Sequence, residues 1–133
     1  MSDLINGLSA EISITVSESD TAAKWGSGLV PVFGTPALVG LMEAAAVKAL
    51  EAHLPAEQTT VGGHIDVHHL AATPVGMGVR ARAELVAVEG RKLTFKIEAW
   101  DELEKVGDAL HERFMIDKEK FIARAQAKRS QEK

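Results

Sequence analysis

A single helical pattern, opened by Thr35-Pro36 and stopped before Leu54-Pro55, is followed between residues 59 and 117 by segments that read only as strands. That order constrains the chain more than any other feature, because one helix beside a run of strands can bury its apolar stripe only against the sheet those strands make. The helix is predicted over 36–53. A threonine hydroxyl can cap the free amides at its start, and proline fits its first position. Proline at 55 would clash with a continuing helix. Leu38, Leu41, Met42, Ala45, Ala49 and Leu50 give the segment a wide apolar stripe.

Before the helix, Ala10, Ile12, Ile14 and Val16 alternate with Glu11, Ser13 and Thr15, the period of a half-buried strand. After it, strands are predicted at 59–69, 79–89, 92–101 and 105–117. Val79, Ala81, Ala83, Leu85 and Ala87 alternate cleanly, as do Leu93, Phe95, Ile97 and Ala99, and Gly90-Arg91 between them marks a hairpin. The stretch 17–34 reads as irregular. It carries Trp25 and Phe33 among glycines, which fits either a lid or a loop whose aromatics cover the core. The tail, 118–133, is rich in Lys, Arg, Glu, Gln and Ala and should be a helix that frays. The expectation is one α+β domain over residues 1–133, a curved antiparallel sheet packed over a central helix. Its open sheet edge would be protected by pairing with a second copy, as a homodimer or a higher oligomer.

At 133 residues such a domain buries roughly two-thirds of its unfolded surface, enough for a core without staples. The absence of cysteine excludes disulfides, thiolate metal sites and cysteine nucleophiles together. A formal charge of −4 argues against nucleic acid as a partner. No stretch reaches the 18 or so apolar residues of a membrane span, and the first ten residues lack a basic region followed by an apolar core. A soluble, cytoplasmic protein is expected.

Two titratable residues stand out against this frame. Glu43 lies off the polar face of the helix beside Val39, Val47 and Leu50, which predicts a partly desolvated carboxylate or a buried structural ion pair. His69 shares its strand face with Ile65 and Val67 and should point inward, while His64, Asp66 and His68 project the other way. A lone inward histidine usually means a satisfied core residue; two titratable groups directed into one interior make a candidate site. His64, Asp66 and His68 also offer metal-donor atoms, but positions i, i+2 and i+4 spread over roughly 13 Å of strand, so surface residues or interface contacts fit better. Gly62-Gly63 inside the same strand marks a bulge or a close approach by ligand or backbone. Gly26-x-Gly28 lacks the context of a phosphate loop. No metal or cofactor is expected.

The run Gly34-Thr35-Pro36-Ala37-Leu38-Val39-Gly40-Leu41-Met42-Glu43, then Gly62-Gly63-His64, His68-His69 and His111-Glu112-Arg113-Phe114, resembles the fluoroacetyl-CoA thioesterase type of hotdog protein from about residue 10 to residue 120. The resemblance implies a dimeric hotdog fold and hydrolysis of an acyl-CoA thioester. It also implies Thr35, Glu43 and His69 as the catalytic group, with Gly62, Gly63 and Arg113 lining the substrate. Leu29, Val30 and Val32 stand where the fluorine-selective member carries an aromatic lid, so a short-chain or aryl acyl group is the expected substrate. A non-catalytic acyl-CoA binding module and a hotdog hydratase or dehydratase are the rival readings. Arg113 has a plainer alternative, an ion pair with Glu112 or Glu84, and Arg80, Arg82, Arg91 and Lys92 are further cations for the phosphates of coenzyme A.

Overall fold

The computed structural model describes residues 4–131. In chain order the elements are β1 (Ser9–Thr15), α1 (Ala22–Trp25), α2 (Thr35–Leu50), β2 (Gln58–His69), β3 (Gly78–Glu89), β4 (Lys92–Asp101), β5 (Lys105–Asp117) and α3 (Lys118–Ala127). The five strands form one antiparallel sheet in the order β1-β3-β4-β5-β2, so β1 and β2 are its edges. Among the described residues no helix is long and apolar enough to cross a membrane.

Strand alternation builds the inner face of this sheet. Ala81 pairs with Ala99, Ala83 with Ile97 and Leu85 with Phe95, and all six side chains are buried. Leu38, Met42, Ala45, Ala46 and Leu50 of α2 pack into the same cluster. Alanines on both layers let the helix sit close to the strands, and the larger side chains fill the space around them. The β3–β4 hairpin turns at Gly90, whose φ of +64° suits glycine. A register shift between Leu85 and Ala87 interrupts the predicted row. Ala87 is therefore only half-buried, with Val86 and Val88 exposed on either side.

The helix differs from its prediction at both ends. Its regular turns stop at Leu50 and continue as a 3₁₀ turn, Glu51–His53. At the start, Gly34 is the N-cap and no side chain caps the helix; Thr35 is already helical and its hydroxyl is used elsewhere. Gly34 is fixed by packing, since a Cβ there would lie 2.9 Å from the backbone of Ala22.

Residues 17–34 are more ordered than their glycine content suggests. Thr21 caps α1 by accepting from the Lys24 amide and donates to the Glu18 carbonyl, and bridges join Thr21 to Phe33 and Val32 to Pro74. Phe33 is buried in the core, as an aromatic that covers it should be, whereas Trp25 is 57% exposed. In the tail, Asp117 caps α3, which buries no residue, and a 3₁₀ turn closes the described chain; Lys133 lies outside the described residues.

Candidate active site

Two polar clusters lie along α2, one at its start and one near its middle. The first joins the start of α2 to the end of β2, where Thr35 Oγ1 and His69 Nδ1 are 2.8 Å apart. His69 stands on the β2 face that carries Ile65 and Val67 toward the core, while His64, Asp66 and His68 are exposed. His68 meets Asp108 across the β2–β5 ladder at 3.3 Å. Phe33 meets the His69 ring edge-on at 6.4 Å between centroids. Burial pushes the imidazole pKa below its ordinary value, an effect partly opposed by the Ala71 backbone, so the ring is neutral at pH 7. Its Nε2 is buried and has no hydrogen-bond partner, a state that buried polar atoms seldom keep unless a ligand or water completes it. His69 and Thr35 line a cavity of about 300 Å³ with Ala22, Val32, Phe33 and Ala71. Leu29 is not among its lining residues and is 98% exposed.

The second cluster centres on Glu43, two turns along α2. Arg113 Nη1 donates to Glu43 Oε2 at 3.4 Å and to His111 Nε2 at 3.2 Å, while its Nε and Nη2 donate to the hydroxyl and carbonyl of Thr60. A guanidinium only donates and a carbonyl only accepts. His111 must therefore accept at Nε2 and donate from Nδ1 to the His64 carbonyl at 2.8 Å, the neutral tautomer. Desolvation, above all, depresses its pKa in the same sense. Arg113 is buried and its charge is held by Glu43; it pairs with neither Glu112 nor Glu84. The Glu43 carboxylate is more open than the sequence suggests, with 41% of its side chain exposed, because the helix face around it and Val47 is uncovered in the single chain.

Gly62 belongs to this second cluster. A Cβ there would stand 2.7 Å from Glu43 Oε2 and 3.3 Å from the His111 ring, so the missing side chain is what lets the carboxylate reach the strand. Gly63 is the extra residue of a bulge, since Gly62 pairs with Arg113 and His64 with Glu112; a side chain at 63 would run into the Phe114 ring. His111 was not singled out from the sequence. The signal was present in the alternation of β5, which sets Ala109, His111 and Arg113 on one buried face. Among the described residues no three His, Asp or Glu side chains gather as metal ligands.

A five-stranded antiparallel sheet packed on one long helix, with titratable side chains gathered along that helix, is the hotdog arrangement of the thioesterase superfamily, and the solved structures agree. The chain superimposes on a Thermus thermophilus member of that superfamily with a TM-score of 0.90 at 27% identity, covering 98% of this chain and 97% of the other. It belongs to the fluoroacetyl-CoA-specific thioesterase (FlK) family, whose model matches residues 16–119. A single-residue mutant of the fluoroacetyl-CoA-specific thioesterase FlK aligns with a TM-score of 0.89 at 34% identity, over 96% of this chain and 99% of that one. The fluoroacetyl-CoA thioesterase of Streptantibioticus cattleyicolor is 43% identical over 97 residues, spanning 73% of this chain and 70% of the relative.

Proposed function

We propose that this chain is an acyl-CoA thioesterase that splits a short-chain or aryl acyl-CoA into the free acid and coenzyme A. The observation that carries the reading, beside family membership, is the Thr35–His69 pair on the wall of a small open pocket, with one ring nitrogen still lacking a partner. That cavity suits a compact acyl group. Phe33 is the one aromatic among its lining residues, and Leu29 stands clear of it.

In this reading Glu43 supplies the attacking oxygen, either directly or through a water it deprotonates, and Thr35 and His69 orient the reacting groups and handle the proton. The carbonyl carbon gains the oxygen and the carbon–sulfur bond breaks; on the direct route a water then cleaves the acyl–Glu43 anhydride to release the acid and restore the carboxylate. A thiol with a pKa of about 8.5 leaves with little acid assistance. The amides at the Gly62-Gly63 bulge are suited to the developing oxyanion, and Arg113 acts on the substrate through Glu43, whose carboxylate it orients.

Thr35 and Glu43 are separated by eight residues of helix, a rise of about 12 Å, so a single chain keeps them apart. A homodimer resolves this. Antiparallel pairing of two copies along the free edge of β2 sets residue 69 of one chain beside the first half of β2 in the other. Thr35 and His69 of one copy then act with Glu43, Gly62 and Arg113 of the second. A cytoplasmic location fits a soluble enzyme that consumes CoA thioesters.

A panel of acyl-CoAs, monitored for free thiol and for the acyl product, tests the reading. Thiol release from short or aryl acyl groups is the expected result. An altered acyl chain with the thioester intact would mark a hydratase, and binding without turnover a carrier module; either would overturn the thioesterase reading.

A further inference from the structure

A groove of about 430 Å³ lies at the far end of the sheet from His69, between the β3–β4 turn, the end of β5 and helix α3. Its size is that of a small-molecule site. Arg91, Lys120 and Arg124 line it with Met115 and Phe121. These three cations have no ion-pair partner among the described residues; Lys24, Lys96, Lys118, Lys128 and Arg129 are also unpaired, but none of them lines the groove. The acidic residue in the lining, Asp117, is committed as the cap of α3, accepting from the Lys120 amide at 3.1 Å. In a chain of net charge −4, three unpaired cations meeting in one groove are a local anion site against the overall field. The groove is also partly preorganised, since the Arg91 carbonyl accepts from the Met115 amide at 2.9 Å and ties the turn to β5.

We propose that this groove binds the 3′-phosphorylated ADP end of coenzyme A, with Arg91, Lys120 and Arg124 taking the phosphates and the half-exposed Phe121 ring offering a face to the adenine. The proposal rests on the thioesterase reading and extends it to the part of the substrate far from the reacting carbon. The reach supports it. Gln58, at the groove's edge, lies four residues from Gly62 on the same face of β2, about 13 Å along the strand. The pantetheine arm has about twelve chain bonds between sulfur and phosphate, the length of about four extended residues and so about 13 Å. The distance from Gly62 to the groove is therefore that of an extended pantetheine arm. Exposed aromatic rings stack bases, and guanidinium groups engage phosphate oxygens in pairs.

The test compares one acyl group carried by coenzyme A and by pantetheine, which lacks the nucleotide, in the wild type and in a triple variant Arg91→Ala, Lys120→Ala, Arg124→Ala. All three side chains are exposed, so the fold should hold. Lys96→Ala, on the exposed face of β4, is the control for loss of charge. We expect KM for the CoA thioester to rise at least about tenfold in the triple variant, with the pantetheine thioester and the control unchanged. Equal effects on both thioesters, or none, would overturn the proposal. If the wild type cleaves neither thioester, the thioesterase reading has failed and calorimetry decides the groove by itself. Adenosine 3′,5′-bisphosphate binding that is far tighter than inorganic phosphate and lost in the triple variant supports the groove. Absent binding, or binding no tighter than inorganic phosphate, overturns it.

Discussion

At the scale of single residues, the site is defined by which polar groups have partners and which do not. Arg113 is held by four hydrogen bonds, to Thr60, His111 and Glu43, while His69 keeps one buried nitrogen unused. Glu43→Gln or His69→Ala is expected to lower kcat by at least about 100-fold with the fold intact, measured as thiol release alongside circular dichroism. Turnover near the wild-type rate in either variant would remove that residue from the mechanism. Thr35→Ala separates two roles that its position allows. Its hydroxyl meets His69 and does not cap α2, so activity should fall while stability stays within about 0.5 kcal/mol in denaturant titration. A loss near 1 kcal/mol would indicate a capping role after all. Arg113→Ala should lower kcat/KM at least about tenfold, because the Glu43 carboxylate loses the group that orients it.

At the scale of elements, β2 is the strand on which the account depends. It is a twelve-residue edge strand whose ladder breaks at Gly62-Gly63, and the break faces Glu43 on one side and Phe114 on the other. Gly62→Ala puts a methyl against the carboxylate, so activity should drop at least about tenfold with little change in melting temperature; an unchanged rate would show that Glu43 can move aside without consequence. The elements themselves were legible in the sequence wherever period and punctuation agreed. The β3–β4 hairpin announced itself through Val79 to Leu85, Gly90 and Leu93 to Ala99, and α2 through its apolar stripe and flanking prolines. The segment 17–34 was not legible, because Thr21 caps α1 through its hydroxyl on the Lys24 amide and bridges to Phe33 through its backbone, contacts that composition does not encode. His111 was missed for a related reason. A buried histidine announces itself only when its partners are known, and these lie 47 and two residues away, at His64 and Arg113.

At the scale of the whole molecule, two of the features a single chain leaves open bear on the site, the unpaired edge of β2 and the uncovered face of α2 around Glu43. The proposed twofold pairing would cover the β2 edge, and light scattering at micromolar concentration should give the mass of a dimer or a larger assembly. Monomer alone would contradict this. Stability should also depend on pH. His69 and His111 both have pKa values held below the ordinary 6.5 by burial, so the unfolded chain binds protons more readily than the folded one. Their contribution is complete above about pH 6.5 and is lost as pH falls below it, which predicts a melting temperature that declines from pH 7 toward pH 5. His111→Asn should flatten that slope.

A thioesterase site shared between two copies can be assayed by mixing two inactive variants. Glu43→Gln and His69→Ala are unfolded together, refolded at equal concentration and assayed for thiol release. A heterodimer then holds one site with His69 from the first variant and Glu43 from the second, so activity should return to about one quarter of wild type with random pairing. If the mixture is as inactive as either variant alone although heterodimers form, the site lies within one chain and is not shared.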